Sequence, residues 1–364
     1  METSARKRFE TAVDLAHTAA ALVADGKGIL AADETPTTLS KRFDALKITS
    51  TATTRRDYRE VLLTAPGTAQ FISAVIFHDE TLRQQTAAGA PMVAICERLG
   101  IIPGIKVDAG TRALALHPGE TITEGLDGLR ERLAEYRRLG ARFAKWRAVF
   151  TVSPTQPSAG CITANADALA RYAALCQEQD LVPIVEPEVL MDGAHTLERC
   201  EEVTGYVLHA VFTALLQQRV HLDEMLLKPN MVTAGDECPR QADVPTVAAA
   251  TLRCLRRHVP PAVPGIVFLS GGQRDVTATR HLDAINRAGG PKPWQLTFSY
   301  GRALQDAALA TWKGKPEAAP VAQSAFYHRA RCNSLATLAS YSETEEDKHV
   351  GESVPHIAAK WRDD

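Results

Sequence analysis

The 364-residue sequence lacks the marks of several large protein classes. Its seven cysteines (Cys96, Cys161, Cys176, Cys200, Cys238, Cys254 and Cys332) are odd in number and scattered, with no C-x-x-C pair. That excludes a disulfide framework or a zinc knuckle and suits reduced thiols in a cytosolic protein. Neither charge sign is in excess: 41 Lys+Arg stand against 43 Asp+Glu, a formal net charge of −2, which argues against a general nucleic-acid binder. Long apolar runs are missing too. Met1 to Asp14 is charged on both sides and lacks the apolar core of a signal peptide. Ala19–Ala24 falls far short of the roughly 20 residues that span a bilayer. There is no internal repeat, no G-x-x-x-x-G-K-[ST] loop, and no third glycine to complete a dinucleotide fingerprint after Gly26 and Gly28. Without that phosphate loop, the LSGGQ word at Leu269–Gln273 is a coincidental match to the signature of ABC-type ATPases. The eleven histidines show no H-E-x-x-H or comparable spacing, so neither a metal nor a cofactor is expected. His78, beside Asp79 and Glu80, reads as a capping or core histidine.

What is present is a hydrophobic content of 45% with 23% charged residues, ordinary globular values, and a regular alternation of segments. Eight short apolar runs begin at Gly28, Ser73, Ile101, Phe143, Leu181, Glu224, Gly265 and Trp294. Most end in a polar, Gly or Pro signal, as fully buried parallel strands do. The stretches between them look helical. Thr123–Leu139 puts Leu126, Leu129, Leu133 and Tyr136 on one face; His195–Arg219, Pro245–His258 and Arg274–Arg287 read similarly. Eight strands with crossover helices favour a (β/α)8 barrel over an open sheet. We therefore expect residues 1–340 to form one such domain, with an extra helix before Asp25 and a C-terminal helix around Val321–Leu338. The remainder, 341–364, carries seven acidic and three basic residues with little aliphatic material and reads as a flexible tail.

Charged residues gather at the C-terminal ends of the runs. Lys145 and Arg147 share a strand face, as do Glu186 and Glu188. Asp33, Lys106, Lys228, Ser270 and Arg302 add one group each. In a barrel all would converge on the mouth, where this fold places its chemistry. One buried lysine or glutamate is commonly a structural ion pair, but burying so many charges is too costly for stability alone. Three lysines with Arg147 and Arg302 suggest a cationic pocket for a phosphorylated substrate. Desolvation and neighbouring cations lower a buried lysine's pKa, which suits it to attack a carbonyl and form a Schiff base. Lys228, between two leucines and a proline, is the best candidate. The glycines of Ser270-Gly271-Gly272, with Gly301 and Arg302, occupy the loops after strands 7 and 8, the recurrent phosphate site of this barrel.

These words, together with Gly26–Glu34 (GKGILAADE), Phe143–Arg147 (FAKWR), Val182–Glu188 (VPIVEPE), Leu226–Thr233 (LLKPNMVT) and Leu296–Gln305 (LTFSYGRALQ), resemble class I fructose-1,6-bisphosphate aldolase from about Phe9 to Tyr341. The resemblance implies reversible cleavage of the sugar bisphosphate to dihydroxyacetone phosphate and glyceraldehyde 3-phosphate. It casts Lys228 as the Schiff-base nucleophile and Glu186 as the proton shuttle. Asp33 would take the C4 hydroxyl proton, Lys145 would stabilise developing charge, and Glu188 would orient the lysines. Ser270, Gly271, Gly301 and Arg302 would hold one phosphate. Lys106, Arg147, Lys41 and Arg42 would serve the other, while Trp146 packs away from the site. The resemblance also implies a cytoplasmic homotetramer. Two features depart from the family pattern. Thr35-Pro36-Thr37-Thr38 replaces a Ser-Thr-Gly-Ser type loop. The last tyrosine is Tyr341, so water or another tail group would protonate the carbanion. A metal-dependent aldolase would need a histidine cluster, and a scaffold with weak catalysis would not need Asp33, Lys145, Glu186 and Lys228 together.

Overall fold

The computed structural model describes residues 14–348. In chain order the first half comprises α1 (Leu15–Leu22), β1 (Gly28–Ala32), α2 (Pro36–Asp44), α3 (Ala52–Leu63), β2 (Ile72–Phe77), α4 (Asp79–Arg83), α5 (Met92–Leu99), β3 (Ile102–Lys106), β4 (Thr111–Ala113), β5 (Thr121–Thr123), α6 (Leu129–Arg138) and β6 (Phe143–Phe150). The second half follows with α7 (Ala159–Glu178), β7 (Val182–Val189), α8 (Leu197–Gln217), β8 (Leu226–Leu227), α9 (Val244–His258), β9 (Gly265–Phe268), α10 (Asp275–Arg287), β10 (Gln295–Tyr300), α11 (Arg302–Trp312) and α12 (Ala319–Thr337). Each of the eight apolar runs supplies one strand of a closed barrel in the order β1-β10-β9-β8-β7-β6-β3-β2. Neighbouring strands are parallel throughout.

The strand period of two divides the apolar residues into two cores. One set, including Ile29, Ala31, Ala74, Ile76, Phe143, Val182, Ile184, Leu226 and Val267, fills the barrel and clusters with Leu15, Ala19 and Leu22 of α1. The alternate set, including Val75, Phe77, Trp146, Val185, Leu227 and Phe268, meets the helical jacket. Gly104 is fixed by the inner packing. A Cβ there would lie 2.2 Å from the Phe143 ring, and Gly28 faces Phe298 in the same way at 2.5 Å.

Three local features differ from the expectation. Helix α6 begins at Leu129, not Thr123, because Gly125 and Gly128 both have positive φ (126° and 64°). Thr121–Thr123 instead pairs with Thr111–Ala113 in a small antiparallel sheet. The sixth apolar run, which begins at Glu224, shortens to the strand Leu226–Leu227 because Pro229 cannot donate to a ladder. At the other end of the chain, residues 341–348 are seated on the barrel. Tyr341 is buried, and Glu343–Lys348 forms a 3-10 turn whose Glu345 and Glu346 pair with Arg331 and Arg329 of α12. Acidic composition does not reveal such partners. The rest of the expected tail, 349–364, lies outside the described residues.

Candidate active site

The charged residues that end the strands line one cavity at the barrel mouth. Lys228 follows β8 directly, and its backbone N–H donates to Val185 O at 2.8 Å, which ties it to β7. Pro229 then frees the chain from the ladder. Asn230 turns back, accepting from Val189 N–H at 3.0 Å and donating to Thr204 Oγ1 at 3.3 Å. The lysine is thus fixed from both sides and 3% exposed, so its amine is presented by a rigid frame.

Its Nζ lies 3.0 Å from Glu186 Oε1, and Glu186 Oε2 lies 3.1 Å from Lys145 Nζ. Lys145 Nζ lies 2.7 Å from Asp33 Oδ2. The chain Lys228–Glu186–Lys145–Asp33 is therefore one continuous, buried file of alternating charge. Burial works against the Asp33 carboxylate, but Lys145, Lys228 and Lys106 outweigh it and hold its pKa well below the usual carboxylate range. Burial likewise disfavours the Lys145 ammonium, yet Asp33 and Glu186 outweigh it, so its pKa rises above the usual lysine range.

The outer wall continues the pattern. Arg147 Nε lies 2.5 Å from Glu188 Oε2, and Lys106 Nζ lies 2.5 Å from Asp108 Oδ1. Arg42 pairs with Glu34 and, at 2.9 Å, with Asp306. The lining thus holds six cations (Arg42, Lys106, Lys145, Arg147, Lys228, Arg302) and five carboxylates (Asp33, Glu34, Asp108, Glu186, Glu188), nearly balanced where a strongly cationic pocket was expected. Among the described residues, Arg302 alone of the six has no carboxylate within ion-pair distance. It opens α11 beside Gly301, whose backbone the helix uses as its N-cap, and Ser270 and Gly271 face the same space. Gly271 and Gly272 have φ of 59° and 89°, a turn that L side chains rarely adopt. Backbone N–H groups, a helix N-terminus and a guanidinium with no carboxylate in ion-pair reach together give an arrangement that can hold an anion.

Of the expected residues, Lys41 is not brought to the cavity wall. It precedes Arg42 on α2, and adjacent helix positions point about 100° apart, so only one can face inward. The Thr35–Thr38 segment is not a loop: Pro36 is the first residue of α2, and Thr35 caps the helix by accepting from Thr38 N–H at 3.1 Å. Trp146 is fully buried against Tyr172, away from the site, as expected. His78 is a cap, accepting from Glu80 N–H at 3.2 Å. Tyr341 does not reach the cavity; its hydroxyl donates to Glu346 Oε1 at 2.6 Å.

Sequence reasoning missed Asp108, Glu34, Asn230 and Gln305. Asp108 had a legible signal, since it follows Lys106 by two positions and shares its strand face. Gln305 had none: it donates to Ala31 O at 2.5 Å and accepts from Tyr58 at 3.0 Å across the fold.

A parallel eight-stranded barrel with a strand-end lysine against a carboxylate, and an anion site on the seventh and eighth loops, defines the Schiff-base class of barrel lyases. The family model for class-I fructose-bisphosphate aldolase matches residues 14–360. The chain belongs to that family, lyases that cleave fructose 1,6-bisphosphate reversibly through a lysine imine. Among its relatives, a probable class 1 fructose-bisphosphate aldolase of Xanthomonas campestris is 54% identical over 90% of this chain and 98% of its own. Cytosolic fructose-bisphosphate aldolase 4 of Arabidopsis thaliana is 50% identical, covering 94% and 86%. A solved Plasmodium falciparum aldolase, in complex with TRAP and an inhibitor, superposes with a TM-score of 0.89 at 51% identity, over 90% of this chain and 95% of that one. Among the described residues no helix is long and apolar enough to cross a membrane.

Proposed function

We propose a division of labour among these residues for the aldol reaction of the family. Lys228 Nζ adds to the C2 ketone of fructose 1,6-bisphosphate, and the resulting carbinolamine loses water to give an iminium. Glu186, 3.0 Å from the amine, accepts the ammonium proton before attack and returns a proton to the departing hydroxyl. The iminium is the electron sink. Asp33 takes the C4 hydroxyl proton as the C3–C4 bond breaks, releasing glyceraldehyde 3-phosphate and leaving the enamine of dihydroxyacetone phosphate. Reprotonation at C3 and hydrolysis then free the second product and the lysine. Lys145, held between Asp33 and Glu186, stabilises charge that develops on the oxygens.

Phosphate assignments follow charge availability. Ser270, Gly271, Gly301 and Arg302 hold one phosphate, with Arg302 contributing a bidentate donor. Lys106, Arg147 and Arg42 serve the other by exchanging part of their contact with Asp108, Glu188 and Glu34. Lys41, off the wall, is left out of this set. Glu188 orients Arg147, 2.5 Å away, more directly than it orients the lysines. We further infer a cytoplasmic location, supported by the names of the plant relatives, and a homotetramer.

The observation that carries this reading is the single carboxylate between two buried lysines, with one of those lysines immobilised by Pro229 and Asn230. Borohydride added with dihydroxyacetone phosphate should inactivate the protein and leave a reduced adduct on the Lys228 peptide, read by mass spectrometry, while EDTA does nothing. Loss of activity with EDTA, or an adduct on another lysine, overturns the assignment.

A further inference from the structure

A second cluster of reactive side chains lies away from the barrel mouth, where the 3-10 turn Glu343–Lys348 packs on α12. His328 and Cys332 are one helical turn apart on α12, and the turn brings Glu346 against them. His328 Nε2 lies 3.6 Å from Cys332 Sγ and 3.6 Å from Glu346 Oε2. All three donor atoms fall within 4.8 Å of one another. A tetrahedral zinc ion with ordinary bond lengths would require N···S of about 3.6 Å and N···O of about 3.4 Å. The two separations through the histidine therefore already suit a shared ion.

We propose that His328, Cys332 and Glu346 form a binding site for a borderline-soft divalent cation of the zinc type, with a water molecule as fourth ligand. The site is structural, lies outside the catalytic cavity and takes no part in the aldol reaction.

The donor set selects the ion. A thiolate with an imidazole favours zinc-like metals over magnesium or calcium, which prefer oxygen ligands. Charge also balances. The thiolate and the carboxylate neutralise a divalent cation, and Arg329, which contacts both Glu346 oxygens at 2.7 and 2.9 Å, has Asp275 at 4.0 Å as a second partner. Those contacts leave lone pairs free, since an ionised carboxylate offers about four acceptor sites. The Tyr341 hydroxyl on Oε1 holds the carboxylate so that Oε2 faces His328. Cys332 is fully buried, while His328 and Glu346 are 12% and 23% exposed, so an ion reaches the thiol past the carboxylate. An ion here would cross-link α12 to the 3-10 turn Glu343–Lys348 that follows it.

Cobalt(II) is the probe, because a thiolate ligand gives it a charge-transfer absorption in the near ultraviolet. The full-length protein should bind one equivalent with that absorption, and Cys238→Ser should do the same. Cys332→Ser should lose the absorption, and His328→Gln should bind at least tenfold more weakly, both with aldolase activity retained. Absence of the absorption at saturating cobalt, or its persistence in Cys332→Ser, overturns the proposal. If Cys332→Ser does not fold, His328→Gln decides: an unchanged cobalt affinity overturns the site, and a tenfold loss supports it.

Discussion

The lower and upper halves of the barrel interior are built from the same strands with opposite chemistry. On β7 the inward face reads Val182 and Ile184, then Glu186 and Glu188; on β6 it reads Phe143, then Lys145 and Arg147. On β1, Ile29 and Ala31 precede Asp33. The change from apolar to ionic occurs over a single two-residue step, about 6.6 Å of strand. Below the step, α1 covers the strand starts, and Ser73 Oγ donates to Leu22 O at 2.5 Å. Above it lie eleven charged side chains. The dry floor makes every ionic contact above it stronger than it would be in water. The floor also supplies packing that offsets the desolvation of the charges. Stability and activity therefore separate along one axis, the height of a residue in the barrel.

That separation is open to attack from both sides. The largest effect expected is on activity, from Lys228→Met. We expect kcat/KM for fructose 1,6-bisphosphate to fall about 10⁴-fold, roughly 5.5 kcal/mol of transition-state stabilisation. Unfolding free energy should change by less than about 1 kcal/mol, because Glu186 keeps Lys145 at 3.1 Å and is not left as a lone buried charge. A variant that loses activity by unfolding would erase the distinction between the halves. The converse is Phe143→Ala, one step lower on β6. Its ring fills the space against Gly104, so truncation should destabilise the fold by about 3–5 kcal/mol in denaturant titrations. Turnover per folded molecule should stay within about tenfold of the parent. A much greater loss would mean that the floor positions Lys145 as well as supporting it.

The step also explains what the sequence disclosed. Parallel strands buried on both faces read as unbroken apolar runs, so all eight could be counted, and charges ending such runs have nowhere to go but the mouth. The pair rule of i and i+2 found Lys145 with Arg147 and Glu186 with Glu188. Applied to Lys106, it would have found Asp108. Periodicity does not carry information about contacts between distant segments. Gln305, which bridges Ala31 and Tyr58, and Asn230, which ties β7 to α8, depend on such contacts. The β4–β5 pair was hidden for a different reason: strands of three residues, Thr-Arg-Ala and Thr-Ile-Thr, are too short to show an apolar alternation. Glu345 and Glu346 counted only as acidic composition until α12 supplied their arginines. His328 and Cys332 escaped a search for paired histidines or paired cysteines because each contributes one ligand.

The smallest effect expected concerns how the upper half depends on pH. Asp33 has a folded pKa below the value of about 3.9 for an unfolded chain, because the surrounding lysines outweigh its burial. A depressed carboxylate contributes stability that is fully present above the unfolded value and is lost as pH falls through the folded one. Lys145 is raised, so its contribution is complete below about 10.4 and is lost only at more alkaline pH. Between about pH 5 and 9 neither group changes charge. The difference in unfolding free energy between the parent protein and Asp33→Asn should therefore be flat across that window, at about 1–3 kcal/mol, and should shrink below pH 4. Denaturant titrations from pH 3 to 9 measure it. A slope between pH 5 and 8 would mean that the carboxyl takes up a proton there, and that the alternating file of charge from Asp33 to Lys228 is not intact at the pH where the enzyme works.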